Sequence, residues 1–224
     1  VRSSKKKSML YKNSGLAILR NNNFKIYFKY PLFYFRPSQA DSLHLDLNIK
    51  NNNILCDAGT FSYNENIEKN YFRGAKGHNI AEFGNKDHMR KLSNFLYMDW
   101  LTPKNLSYSF EESSLQKIEC TIKDYRSIKH RRKIELFNSE VIITDIFNNH
   151  FDKGVLRFRL NNINNTKWIF SSNKVKNKYA SISSNKKIIK RTGWKSEFYM
   201  KKEKINVMEI DISPNDKIIT TITF

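Results

Sequence analysis

Alternation with a period of two residues runs through most of this chain, and it leaves few folds open. In "FKIYFKY", Phe24, Ile26, Phe28 and Tyr30 share one face while Lys25, Tyr27 and Lys29 share the other. In "SLHLDLNIK", Leu43, Leu45, Leu47 and Ile49 point inward and Ser42, His44, Asp46 and Asn48 outward. "RKIELFNSEVIITDIF" reads as two strands about an Asn138-Ser139 turn, and "GVLRFRL", "KWIFSS", "KINVMEIDI" and "KIITTITF" continue the pattern. Long stripes of helical period are scarce. The expected fold is therefore all-β, a two-sheet antiparallel β-sandwich.

At 224 residues and 39% hydrophobic content the chain can bury a sizeable core, and residues 1–224 are read as a single sandwich domain. The exception to the alternation is a segment at about 64–91, "NENIEKNYFRGAKGHNIAEFGNKDHMRK", which shows neither period. It holds Gly74, Gly77 and Gly84, with Gly59 just before it. Long irregular segments inside a compact domain tend to carry function.

A formal charge of +19 attracts polyanions: nucleic acid, an anionic membrane face or an acidic polysaccharide. The sign alone does not choose among them, and Lys, Asn and Ile are enriched throughout, as a coding bias would produce. No helix-turn-helix, RRM, KH or zinc-finger signature accompanies the charge, so no specific nucleic acid is expected. No apolar run is long enough for a signal peptide or a transmembrane segment. Cys56 and Cys120 lie far apart without a CxxC and read as buried thiols.

The chemistry-bearing stretch is "SQADSLHLDLNIKNNNILCDAGTFSYN". If Leu43 to Ile49 faces the core, His44 and Asp46 share the opposite face. Matching apolar faces across a turn at Asn51-Asn52-Asn53 brings Asp57 onto that face too. Polar residues on the outer face of a sandwich strand would look the same without any function.

The order of motifs adds to this. "QADSLHLDLNIKNNNILCDAGTFSYN" resembles the HADxLxFxL...DxGTxxY segment of the heparinase II/III-like family. The similarity resumes with the HNT-type element in "RGAKGHNIAEFGNKDHMRKLSNFLYMDW" and with "KHRRKIELFNSEVIITDIF", covering residues 15 to about 160. The resemblance implies the C-terminal β-sandwich of a polysaccharide lyase, without the α/α toroid that such proteins carry as a second domain. It implies β-elimination on an acidic, uronate-containing polysaccharide in a cleft shared with that helical domain, in the same or a neighbouring chain. The catalytic Tyr and an Asn come from the helical side in the family, so the enzymatic status of this chain alone stays open. An exported, periplasmic setting is implied by the resemblance alone.

The resemblance also implies zinc, held by Asp57, His78 and, in the third position, Gln39. A neutral amide oxygen competes poorly with imidazole, so zinc is doubtful and the expectation is a hydrogen-bonded cluster of Gln39, Asp57 and His78 instead. His78 is the catalytic candidate. Arg36, Gln39, His44, Arg73 and Asn79 are the candidate substrate contacts, the arginines because a guanidinium grips a uronate carboxylate bidentately. Pro37 stands where some members carry a further histidine. His88 and His130 are expected to be structural, "KHRRK" to be a strand with a solvated face, His150 carries no signal, and Trp100, Trp168 and Trp194 are expected in the core. The alternative function is a non-catalytic carbohydrate-binding module for anionic glycans.

Overall fold

In the computed structural model, which describes residues 7–63, 66–111 and 115–224, strands dominate and form two large antiparallel sheets. One runs from edge to edge through Met9–Tyr11, Leu16–Arg20, Phe24–Lys29, Leu45–Ile49, Asn52–Leu55, Gly154–Leu160, Lys201–Ile212 and Ile189–Phe198. Ala81–Phe83 adds to it beside Gly154–Leu160. The other runs through Ile169–Phe170, Lys174–Lys176, Ser181–Ser184, Lys217–Thr223, Glu140–Asn148, Lys129–Leu136, Gln116–Lys123 and Lys104–Ser109. Their apolar faces merge into one buried cluster, with Phe24, Ile26, Phe28 and Leu47 from the first sheet and Ile118, Ile134, Ile143 and Ile218 from the second. Each such side chain contributes roughly 1.5–3 kcal/mol on burial. The all-β sandwich expected from the alternation is the fold observed.

Local departures have physical causes. The inward alternation of "SLHLDLNIK" begins only at Leu45, because Leu43 sits at φ 69 and breaks the strand. Leu43 is buried as expected, but Ser42 and His44, expected outward, are buried as well. The hairpin turn falls at Lys50 and Asn51, with Lys50 at φ 54, and Asn52 already belongs to the next strand. The segment 64–91 is not wholly irregular: past Asn64 and Glu65, which lie outside the described residues, it forms the helix Asn66–Arg73 and a 3-10 turn at Ala75–Gly77.

The strand "KHRRK" has one solvated face, Lys129 and Arg131, but its other face is buried down to His130 and Arg132. Arg132 forms a bidentate pair with Asp145 on the neighbouring strand, Nε to Oδ1 at 2.7 Å and Nη2 to Oδ2 at 3.2 Å. His130 completes the carboxylate's shell through Nε2 at 2.6 Å. With three bonds to its oxygens, Asp145 is a charge that the interior tolerates. The remaining Arg132 nitrogen, Nη1, crosses to the other sheet and donates to the carbonyls of Leu43, at 2.7 Å, and Asn79. His88 is buried; Trp168 is buried, Trp194 half-buried and Trp100 45% exposed, so Trp100 is not a core residue.

Candidate functional site

Asp57 follows the strand Asn52–Leu55 and is fixed by its own turn: its Oδ1 accepts the Gly59 N–H at 2.7 Å. Gly59 has φ +77, and a Cβ there would come within 1.9 Å of the Ser196 carbonyl oxygen, so this turn requires glycine. With Oδ1 held, Oδ2 is aimed at two histidines. His78 donates from Nδ1 at 2.7 Å, and Nε2 of His44 stands 3.6 Å away. The His44 nitrogen is also 3.7 Å from Asp46. The convergence of His44, Asp46 and Asp57 read from strand parity is therefore present, with His78 joining it from the turn after the helix.

Asn79 organises the group from inside. Its N–H donates to Nδ1 of His44 at 3.0 Å, and its side-chain amide donates to the carbonyls of Leu45 and Cys56 at 2.8 and 3.2 Å. Its Oδ1 accepts the Arg159 N–H at 2.6 Å. Residues adjacent to His44, Asp57 and His78 are thus tied to one side chain. Asn79 and His78 are both 0% exposed. Neither touches a substrate at the surface as placed; Asn79 braces the cluster and His78 acts on Asp57.

Electrostatics follow from this burial. Burial pulls the His78 imidazolium down, but the charge of Asp57 and the hydrogen bond to it outweigh that and leave its pKa raised. Burial pushes the Asp57 carboxyl up, yet the charge of His78, its hydrogen bond and the nearby His44 hold it well below the usual carboxylate range. The pair is an ion pair with Asp57 as its more exposed member, 33% of whose side chain reaches solvent.

Two hollows adjoin these elements. Asp57, Asp46, Tyr27, Asn48, Asn161 and Lys195 line one of about 380 Å³. Arg36 and Gln39 line another of about 450 Å³ with Lys29, Asp41 and the exposed rings of Tyr34 and Phe35. Gln39 makes no hydrogen bond to Asp57 or His78 among the described residues, so the cluster expected from Gln39, Asp57 and His78 is built with His44 in the third place. Arg73, another expected substrate contact, is 2% exposed at the end of its helix.

His44, Asp57 and His78 offer ligand atoms within 4.8 Å of one another, the spacing a metal site needs. Their protons do not fit one. Nδ1 of His44 accepts a backbone N–H, so Nε2, the nitrogen facing Asp57, carries the hydrogen and has no lone pair to give. The His78 Nδ1 that faces Asp57 is likewise an N–H donor. In this arrangement the zinc implied by the resemblance finds donors where it needs acceptors.

Arg132, Asp145 and Arg159, which hold the site from behind, were not among the sequence candidates. Strand parity carried the signal: Asp145 shares its face with Val141, Ile143 and Phe147, and Arg132 with Ile134 and Leu136. A charge at an inward position on two paired strands marks a buried ion pair.

A family model described as heparinase II/III-like, C-terminal, matches residues 4–212. No curated protein matches the chain. Among solved structures, a heparinase III aligns with a TM-score of 0.81 at 18% identity, covering 98% of this chain and 36% of that one. A heparan sulfate lyase mutant from Pedobacter heparinus aligns with a TM-score of 0.81 at 18% identity, covering 99% of this chain and 37% of that one. A chondroitin AC lyase from Streptomyces coelicolor, solved with chondroitin sulphate, aligns with a TM-score of 0.50 at 7% identity, covering 93% and 31%. At such identities the likeness is one of fold, and the chain spans about a third of each structure's length.

Proposed function

The chain belongs to the heparinase II/III-like C-terminal family, and on that premise we propose that it is the β-sandwich domain of a polysaccharide lyase. In this reading it binds an acidic, uronate-containing polysaccharide for β-elimination together with a helical domain in the same or a neighbouring chain. The observation that carries the reading is that Asp57, held from behind by the buried His44 and His78, lines a solvent-open hollow on the first sheet.

The reaction requires removal of a weakly acidic proton beside a carboxylate, protonation of the leaving oxygen, and neutralisation of charge that builds on the carboxylate. Cations and N–H donors supply the last of these. Arg36 and Lys29, in the hollow with Gln39 and the rings of Tyr34 and Phe35, are the uronate contacts of this proposal. Asp57, the cluster member that reaches the hollow, accepts from a sugar hydroxyl there, and the buried His44 stands behind it. His78 is a positioning residue that keeps Asp57 charged. The base that takes the proton comes from the helical domain, as the family resemblance implies.

The test joins the chain to its helical domain and follows unsaturated uronate formation from heparan sulfate, chondroitin, pectate and alginate. Product from one of them, reduced by Asp57→Asn and Arg36→Ala, supports the lyase. Salt-sensitive binding of the isolated chain to these glycans, with no product from the joined protein, replaces it by a non-catalytic binding module. Absence of both binding and product rejects both.

A further inference from the structure

The guanidinium of Arg73 is the one large buried cation whose charge the described residues leave unanswered at its fork. Arg132 is equally deep but ion-paired with Asp145, and Arg159 gives its fork to the Tyr71 hydroxyl and the Lys76 and Trp194 carbonyls. Arg73 is 2% exposed, yet both Nη1 and Nη2 lack a hydrogen-bond partner. Its face is covered: Cζ lies 3.8 Å from the centre of the Phe95 ring and 5.8 Å from that of Tyr63. Stacking uses the faces of a guanidinium and leaves its edge, where the N–H groups point, without acceptors. A buried charged donor left in this state is costly, and an anion that presents two oxygens to the fork relieves it.

The surroundings are those of a covered site. Phe95 sits at φ 64 in the tight turn between Lys91–Ser93 and Leu96–Tyr97, a left-handed conformation that a phenylalanine adopts under strain. Its ring packs against Tyr63 at 5.4 Å, and Tyr63 against Tyr199 at 5.4 Å. The three rings remain 51%, 38% and 53% exposed for Tyr63, Phe95 and Tyr199. One layer of aromatic rings therefore separates the guanidinium from solvent. Mutually tilted rings with phenol groups at their rim suit a sugar, which offers C–H faces to the rings and hydroxyls to the phenols.

We propose that Arg73 is an anion-receiving subsite that takes a carboxylate or sulfate group of a glycan beneath the Phe95 ring. This rests on the reading of the chain as a binder of acidic polysaccharide and places a further contact point on it, apart from the Asp57 and Arg36 hollows. The backbone there is anchored independently of the occupant, since the Arg73 carbonyl accepts from the Ala40 N–H at 2.8 Å and the Tyr97 hydroxyl at 3.2 Å.

The experiment measures thermal stabilisation and binding by sodium glucuronate and by sodium sulfate against sodium chloride at matched ionic strength, in wild type, Arg73→Gln and Phe95→Ala. Stabilisation by glucuronate, by sulfate or by both is expected in wild type, naming the group, with affinity lost roughly tenfold or more in Arg73→Gln. Phe95→Ala, which removes only a half-exposed ring, changes anion affinity severalfold and keeps the test open if Arg73→Gln does not fold. No response beyond chloride in wild type, or affinities equal in wild type and both variants, overturns the proposal. So does an anion response that disappears once the helical domain is joined, which assigns the fork to a protein carboxylate. Small-anion binding that needs Arg73, with no binding of heparin or hyaluronan, upholds an anion site here and rejects the polysaccharide reading instead.

Discussion

Asn79 gives its backbone N–H to Nδ1 of His44 across 3.0 Å, and this one bond decides which nitrogen of that ring carries the proton. A metal-bound imidazole needs the reverse: a lone pair toward the ion and an N–H on the far side.

Nitrogen NMR of the neutral form of His44 is accordingly expected to show the Nε2–H tautomer. Zinc added to the chelator-treated protein leaves those shifts and the melting temperature unchanged. Stoichiometric zinc with a displaced His44 signal contradicts the arrangement.

The Asp57–His78 pair sets a pH window for stability. Asp57, with its pKa lowered in the fold, contributes fully above its ordinary 3.8 and loses that contribution as pH falls through the folded value. His78, with its pKa raised, contributes fully below 6.5 and loses it as pH rises through the folded value. The pair is worth most between these limits. Urea unfolding from pH 4 to 9 checks this: His78→Gln lowers stability overall and flattens the decline above about pH 6.5.

Removing Asp145 strands Arg132 in the interior between the sheets. Asp145→Ala is expected to cost about 3–5 kcal/mol, and Arg132→Met combined with Asp145→Leu much less than the two single changes summed. Denaturant midpoints of the double-mutant cycle measure it. Additive losses mean that the two side chains do not depend on each other.

At Gly59 any side chain collides with the Ser196 carbonyl and takes on a left-handed φ. Gly59→Ala is expected to destabilise the protein by ~1–3 kcal/mol or more and to release Asp57 from its turn. The released carboxylate shows as a fall in the His78 pKa by NMR. An unchanged His78 titration shows the turn to be unnecessary for the pair.

The strands were legible where one face is apolar and the other charged, as in Phe24–Lys29, whose buried and half-buried residues alternate without exception. They were less legible where a charged position is buried, on the core face for Arg132 and on the opposite face, under the segment 64–91, for Arg157 and Arg159. Arg132, Arg157 and Arg159 read as solvent-facing by residue type, and only their partners, Asp145 for the first and Glu82 with Glu209 for the second, make burial tolerable. The helix Asn66–Arg73 is only eight residues long, too short for a 3.6-residue period to establish itself. At the site, parity placed His44, Asp46 and Asp57 together, although only Asp46 lies within a strand and the other two stand just outside theirs. It did not show that Leu43 turns left-handed and carries His44 inward, nor that Gln39 stands apart from Asp57, since both depend on long-range bonds such as Arg132 to the Leu43 carbonyl.

That bond, with its twin to Asn79, moors the backbone beside His44 and His78, which belong to the first sheet, to a side chain of the second. A folding intermediate with one sheet formed would hold the right residues with their backbone unmoored. The emergence of a paired Asp57 and His78 during refolding is thus a clock for the docking of the two halves, and it should tick only once, together with loss of the last exchangeable core amides.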